Sequence, residues 1–181
     1  MVPYMGWNHS NLDLEWHYGP KAAQQKYAPD LLRAQAIGLQ TGCIPLALAR
    51  VASNRGEWRA LSEEQQRVCS RTKIGVMAVH EIRAGSRHKQ ANALLSRMYD
   101  FGYGLEDCTV INYWDENPPL RVSDEQCKWL LLQRDGKLML LLCTWNEDQN
   151  DLALTIDTRA LGVEVSRAVN VETGESHPVR D

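Results

Sequence analysis

A chain of 181 residues with 44% hydrophobic and 24% charged residues has an ordinary globular composition and enough length to bury a core, which argues against disorder. Its net charge of −3, with acids and bases intermixed, excludes the clustered Lys and Arg of an electrostatic nucleic-acid surface. No apolar run reaches the ~18 residues of a membrane span; the longest, WLLLQRDGKLMLLLCTW, is broken by Arg134, Asp135, Gly136 and Lys137.

The first residues, MVPYMGWNHSNLDLEWHYGP, lack the basic and apolar regions of a signal peptide. Tyr4, Trp7, Trp16 and Tyr18 crowd into a segment punctuated by Gly and Asn. Such a segment reads as a loop inside a larger protein. GWNHS joins an indole, an amide, an imidazole and a hydroxyl, and EWHYG repeats that flavour. Loops carry recognition, and Trp and Tyr offer a flat apolar face with a polar edge. That pairing suits a pyranose: its C–H face stacks on the ring while Asn, His and acids bind its hydroxyls. The chain has six Trp and six Tyr against one Phe, a bias that interdomain packing would also produce.

Residues 20–103 read as helical. Pro29 suits a first helical turn, with Leu31, Leu32, Gln35, Leu39 and Gly42 near one face. Gly38, Gly42 and Pro45 loosen or break that pattern. Ser62 and Gln65 form a capping-box pattern, and Glu63 and Glu64 favour the positive helix end. Val68, Thr72, Val76 and Val79 then run along one stripe. A third helix follows, with Ala91, Leu94, Leu95, Met98 and Phe101 at helical spacing and Gly102 as its stop.

From Cys108 the period changes. CTVINYW is β-branched and aromatic, and CKWLLLQ and KLMLLLCTW flank Asp135-Gly136, a strong hairpin signal. LALTIDT alternates as a half-buried strand does, and VSRAVNVET and SHPVR complete five or six strands. Strands this short with turns this tight predict a small antiparallel β-sandwich after the helices, an α+β chain. NYWDENPP marks the seam: Pro118 and Pro119 separate two strands, and Tyr113 and Trp114 pack between the halves.

No complete catalytic constellation appears. Walker, GxGxxG, HExxH and GxSxG patterns are missing. Asp115-Glu116 is a poor dyad, since adjacent strand residues face opposite ways. Capping explains Glu63-Glu64, and a turn explains Asp124-Glu125. The five cysteines have no zinc-ligand spacing and read as buried free thiols, a weak hint of a reducing compartment. His80, inside VMAVHEI, reads as a hydrogen-bonded histidine at the core edge, with a pocket-lining role as the alternative. Nothing calls for a cofactor or a metal, and the sequence specifies no compartment.

The order of parts from Ser62 to Gly174 resembles the C-terminal portion of multidomain glycoside hydrolases. It runs through VHEI, ANALLSRMYDFG, NYW, WLLLQRDGKLMLLLCTWNED, LTIDTRALGV and AVNVETGE. The nearest likeness is the family 123-like group. The resemblance implies the end of a (β/α)-barrel over residues 1–106 and an antiparallel β-sandwich cap over residues 107–181. A complete barrel takes ~250 residues and cannot fit. The catalytic carboxylates are therefore expected outside this chain, supplied by a missing N-terminal region or a partner subunit. The expected ligand is a carbohydrate, with Trp7, Asn8, His9 and Trp16 lining a subsite. The alternative is a non-catalytic module that binds carbohydrate or protein.

Overall fold

A computed structural model describes residues 28–36, 55–82, 89–146 and 151–179. Its elements are α1 (Pro29–Ala36), α2 (Arg55–Ala60), α3 (Glu63–Ala78) and α4 (Lys89–Phe101), then β1 (Thr109–Asn112), β2 (Leu120–Val122), β3 (Cys127–Arg134) and β4 (Lys137–Thr144). They are followed by β5 (Leu154–Ile156), α5 (Thr158–Leu161), β6 (Arg167–Val169) and β7 (Ser176–Pro178). The α+β organisation expected from the change of period is present. Helix α2 falls within the stretch read as helical, whereas the single turn α5 is an addition that the sequence pattern does not announce.

Helix α3 starts where its capping box places it. The Ser62 hydroxyl accepts from Gln65 N at 3.2 Å, and Ser62 N donates to Gln65 Oε1 at 2.8 Å. Two of the orphan donors of the first turn are thus satisfied. Helix α4 ends in a Schellman closure: Gly102 N donates to Tyr99 O at 3.0 Å and Tyr103 N to Met98 O at 3.0 Å.

The β3–β4 hairpin turns through Asp135 and Gly136, with φ of 50° and 68°. Two successive positive φ values define the type I′ turn, whose twist matches that of the flanking strands. Arg134 therefore pairs with Lys137, and the register continues to Cys127 opposite Thr144.

All strand pairs are antiparallel, but the described strands form three separate sheets, ordered β1-β3-β4, β2-β5 and β6-β7. Strand β3 is the centre of the core. Leu130 and Leu132 pack with Ala78 of α3, Met98 of α4 and Cys108. Trp129 and Leu131 pack with Leu120 of β2 on the opposite face, joined by Ile156 of β5 and Leu161 of α5. The result is layered: helices α3 and α4, then the three-stranded sheet, then the β2–β5 pair. Helix α3 lies close on β4, since a Cβ at Gly75 would stand 3.3 Å from Cys143 Sγ. The β6–β7 hairpin is exposed on both strands; an ion pair at 2.6 Å joins Glu172 in its turn to Arg71 of α3.

Among the described residues, no helix is long and apolar enough to cross a membrane.

Candidate functional site

Three of the residues weighed from sequence, His80, Tyr113 and Trp114, come together at the C-terminal end of α3. His80 follows that helix and is fully buried. Its Nδ1 lies 2.7 Å from Val76 O, and its Nε2 lies 3.0 Å from the Tyr113 hydroxyl. A carbonyl only accepts, so Nδ1 carries the proton and Nε2 accepts from Tyr113. Three rings surround the imidazole: Trp114 nearly parallel at 6.1 Å, and Tyr113 and Trp145 edge-on at 5.7 and 5.9 Å. Two cations sit over the outer rings, Arg33 of α1 at 6.0 Å from Trp114 and Lys128 of β3 at 5.3 Å from Tyr113. Burial pushes the Tyr113 hydroxyl up to about 12, Asp30 adds to that, and Arg33 opposes it. Tyr113 therefore stays protonated as a donor to His80. NYW is a seam in this structure, joining α1 and α3 to the strands.

Next to the rings lies a polar knot. Glu81 has φ of 56°, the left-handed region that favours glycine. Its N donates to Ala78 O at 3.0 Å, and Ile82 N donates to Met77 O at 2.9 Å. This is a second Schellman closure, with glutamate where α4 has Gly102. The anion also stands at the negative end of the α3 dipole. Two donors offset those costs: Asn112 Nδ2 reaches Glu81 Oε1 at 2.8 Å, and the Tyr103 hydroxyl reaches Oε2 at 3.2 Å. Burial, and then Glu81 itself, raises the Tyr103 hydroxyl far above its ordinary value, so it too remains a donor. Asn112 N donates to Asp115 Oδ2 at 2.8 Å. Asn112 is thereby held through both its amides, while its Oδ1 is buried with no partner among the described residues.

The Glu81 carboxylate thus accepts two hydrogen bonds at a position where local backbone preference favours glycine. Glu81→Gly would relieve about 1 kcal/mol of left-handed backbone cost. It would also remove two hydrogen bonds to a charged group and strand the Asn112 amide, so a net loss of about 1–2 kcal/mol is expected. Urea unfolding decides the sign; a Gly variant more stable than wild type would show that the carboxylate contributes less than the left-handed backbone costs.

The acid pairs have local duties. Asp115 turns back onto Asn112, while Glu116 is exposed. Glu64 pairs with Arg67 at 2.6 Å in the first turn of α3. Asp124 accepts from Gln126 N at 2.8 Å and Asn146 Nδ2 at 3.0 Å. Cys69, Cys108, Cys127 and Cys143 are free and buried, and burial pushes Cys143 up to about 12, far from a reactive thiolate. Cys43 lies outside the described residues. Among the described residues, no group of three or more His, Cys, Asp or Glu side chains is placed to hold a metal ion.

Trp7, Asn8, His9 and Trp16, the predicted sugar-subsite residues, also lie outside the described residues. Of the positions weighed from sequence, the structure brings together His80, Tyr113 and Trp114. Sequence reasoning passed over Glu81, Tyr103 and Asn112 as partners. The one available clue, for Glu81, is an acid two positions after Val79, the last stripe residue of the helix, where glycine or a base is preferred.

This geometry defines a helix-backed antiparallel β domain with an aromatic and polar seam at the end of α3. Residues 92–175 match the family model described as glycoside hydrolase 123, C-terminal domain. The match begins within α4 and runs to the turn before β7. Over that span the chain is similar to the C-terminal portion of a glycoside hydrolase 123-like protein. Comparison with curated proteins and with solved structures gave no match.

Proposed function

We propose that this chain is the C-terminal part of a carbohydrate-active glycoside hydrolase and that the catalytic carboxylates lie outside it. The observation that supports this is the family match over residues 92–175. The local duties of Glu64, Asp115 and Asp124 agree with it, because a glycosidase needs two carboxylates free to face one bond. In this reading residues 1–106 are the end of a (β/α)-barrel and residues 107–181 are an antiparallel β-sandwich cap. The loop carrying Trp7, Asn8, His9 and Trp16 lines a sugar subsite. A missing N-terminal region, or a partner subunit, supplies the acids.

Three measurements test this reading. Chromogenic glycosides should be cleaved by the full gene product in its source and not by the 181-residue chain alone; cleavage by the chain alone overturns the placement of the acids. The native mass, read with an antibody to the segment around Thr144–Asn146, should then lie well above 20.5 kDa. Glycan binding should fall at least tenfold in Trp7→Ala/Trp16→Ala, as expected when stacking rings are lost. A native mass of 20.5 kDa with glycan binding intact in the isolated chain would instead favour a non-catalytic carbohydrate-binding module.

A further inference from the structure

We propose that His80 is an acid-sensitive latch: neutral, it ties the helices to the strands through Tyr113, Trp114 and Trp145, and protonated, it loosens that seam. The inference is independent of the hydrolase reading and rests on the packing around one ring.

The ring is sealed. It has no exposure, both nitrogens are engaged, and three aromatic neighbours close around it. A proton on Nε2 would turn that atom from acceptor to donor, so the Tyr113 hydroxyl must reverse and find another acceptor for its own proton. The new charge would also be poorly compensated. Each element around the ring contributes identifiable groups. Helix α1 brings Asp30 and Arg33, with Arg33 over Trp114, and the Pro29 carbonyl, which favours the charged ring. Strand β3 brings Lys128, over Tyr113. The turn after β1 brings Tyr113 and Asp115, and Asp115 is committed to Asn112 N. Glu81, next in sequence, is committed to Asn112 and Tyr103. The end of β4 brings Trp145, which is uncharged. The aromatic faces that would welcome an imidazolium are already shared with two cations.

Burial is the main influence lowering His80 below its ordinary value; the Val76 and Pro29 carbonyls oppose it, and Lys128 adds to it. The sign follows. Below about pH 6.5 the unfolded chain takes up a proton that the folded chain refuses. Stability carried by neutral His80 is therefore complete above that pH and lost as pH falls toward the lower folded-state value.

The test uses the whole chain. Urea unfolding between pH 7.5 and 5.0 should show the folding constant of wild type falling more steeply than that of His80→Phe, by up to tenfold per pH unit. Hydrogen exchange at pH 5.0 should show the amides of Tyr113 and Trp114 losing protection before those of Leu130–Leu132, which would mark a local seam opening. Should His80→Phe not fold, the His80 ring nitrogen resonances of wild type carry the test, since they must titrate below an ordinary histidine. Parallel pH profiles in wild type and variant overturn the proposal. So does uniform loss of protection, or a ring that titrates at or above its ordinary value.

Discussion

Leu131→Ala and Leu132→Ala are each expected to destabilise the chain by about 2–5 kcal/mol, the range for emptying a fully buried leucine site. These neighbours on β3 point to opposite faces of the sheet. In an antiparallel sheet with one wet face, one of them would be cheap to truncate. Here both are completely buried: Leu132 against Ala78 and Met98 on the helix side, and Leu131 with Trp129 and Leu120 on the side of the β2–β5 pair. Matched losses in urea midpoint would confirm a strand covered on both faces. A loss under about 1 kcal/mol for Leu131→Ala alone would mean that the β2–β5 pair does not cover the sheet in solution. Total stability of a domain of this kind is about 5–15 kcal/mol, so either substitution removes a large share of it.

The difference between what local pattern carries and what it does not is visible along β3 and around His80. The turn at Asp135-Gly136, the capping box at Ser62 and the stop at Gly102 depend on a few adjacent residues, and each stands where the sequence places it. The run WLLL announces burial but not what buries it, because two covered faces give no alternation. The strand expected through LALTIDT is confined to Leu154–Ile156, and Asp157 instead caps the single turn α5 by accepting from Ala160 N at 2.9 Å. The sandwich expectation meets three separate sheets because strand pairing is non-local: β2 finds β5 across more than thirty positions of chain. The site shows the same limit. NYW reads as a seam from its composition, yet the pairing of Tyr113 with His80 spans thirty-three positions, and that of Asn112 with Glu81 spans thirty-one. No periodicity reports contacts at that range. Glu81 is the reverse case. Local rules ask for glycine there, and the departure from them is itself the trace of a long-range demand.

Gly102→Ala is expected to cost about 3 kcal/mol, from two sources that one added methyl group brings together. Gly102 has φ of 123°, a conformation that L side chains rarely adopt. Its added Cβ would also stand 2.7 Å from Arg134 Cδ and 2.8 Å from Nη1. Arg134 has little freedom to withdraw. Its Nε donates to Asp107 Oδ2 at 3.0 Å, and its Nη1 donates to Phe101 O at 3.3 Å, which satisfies a carbonyl at the end of α4. Arg134 also opens the β3–β4 turn, so its side chain pins the helix end to the hairpin. The backbone cost persists whatever Arg134 does, whereas the steric cost needs Arg134 in place. The two separate in a double-mutant cycle. Arg134→Ala alone should cost less than Gly102→Ala, since its ion pair with Asp107 lies at the surface. In the Arg134→Ala background, Gly102→Ala should cost only about 1–2 kcal/mol, the backbone share. A coupling of at least about 1 kcal/mol between the two sites is the expected reading from urea midpoints. Strict additivity would place the whole penalty in the backbone. A neutral Gly102→Ala would mean that the chain closes α4 by another route.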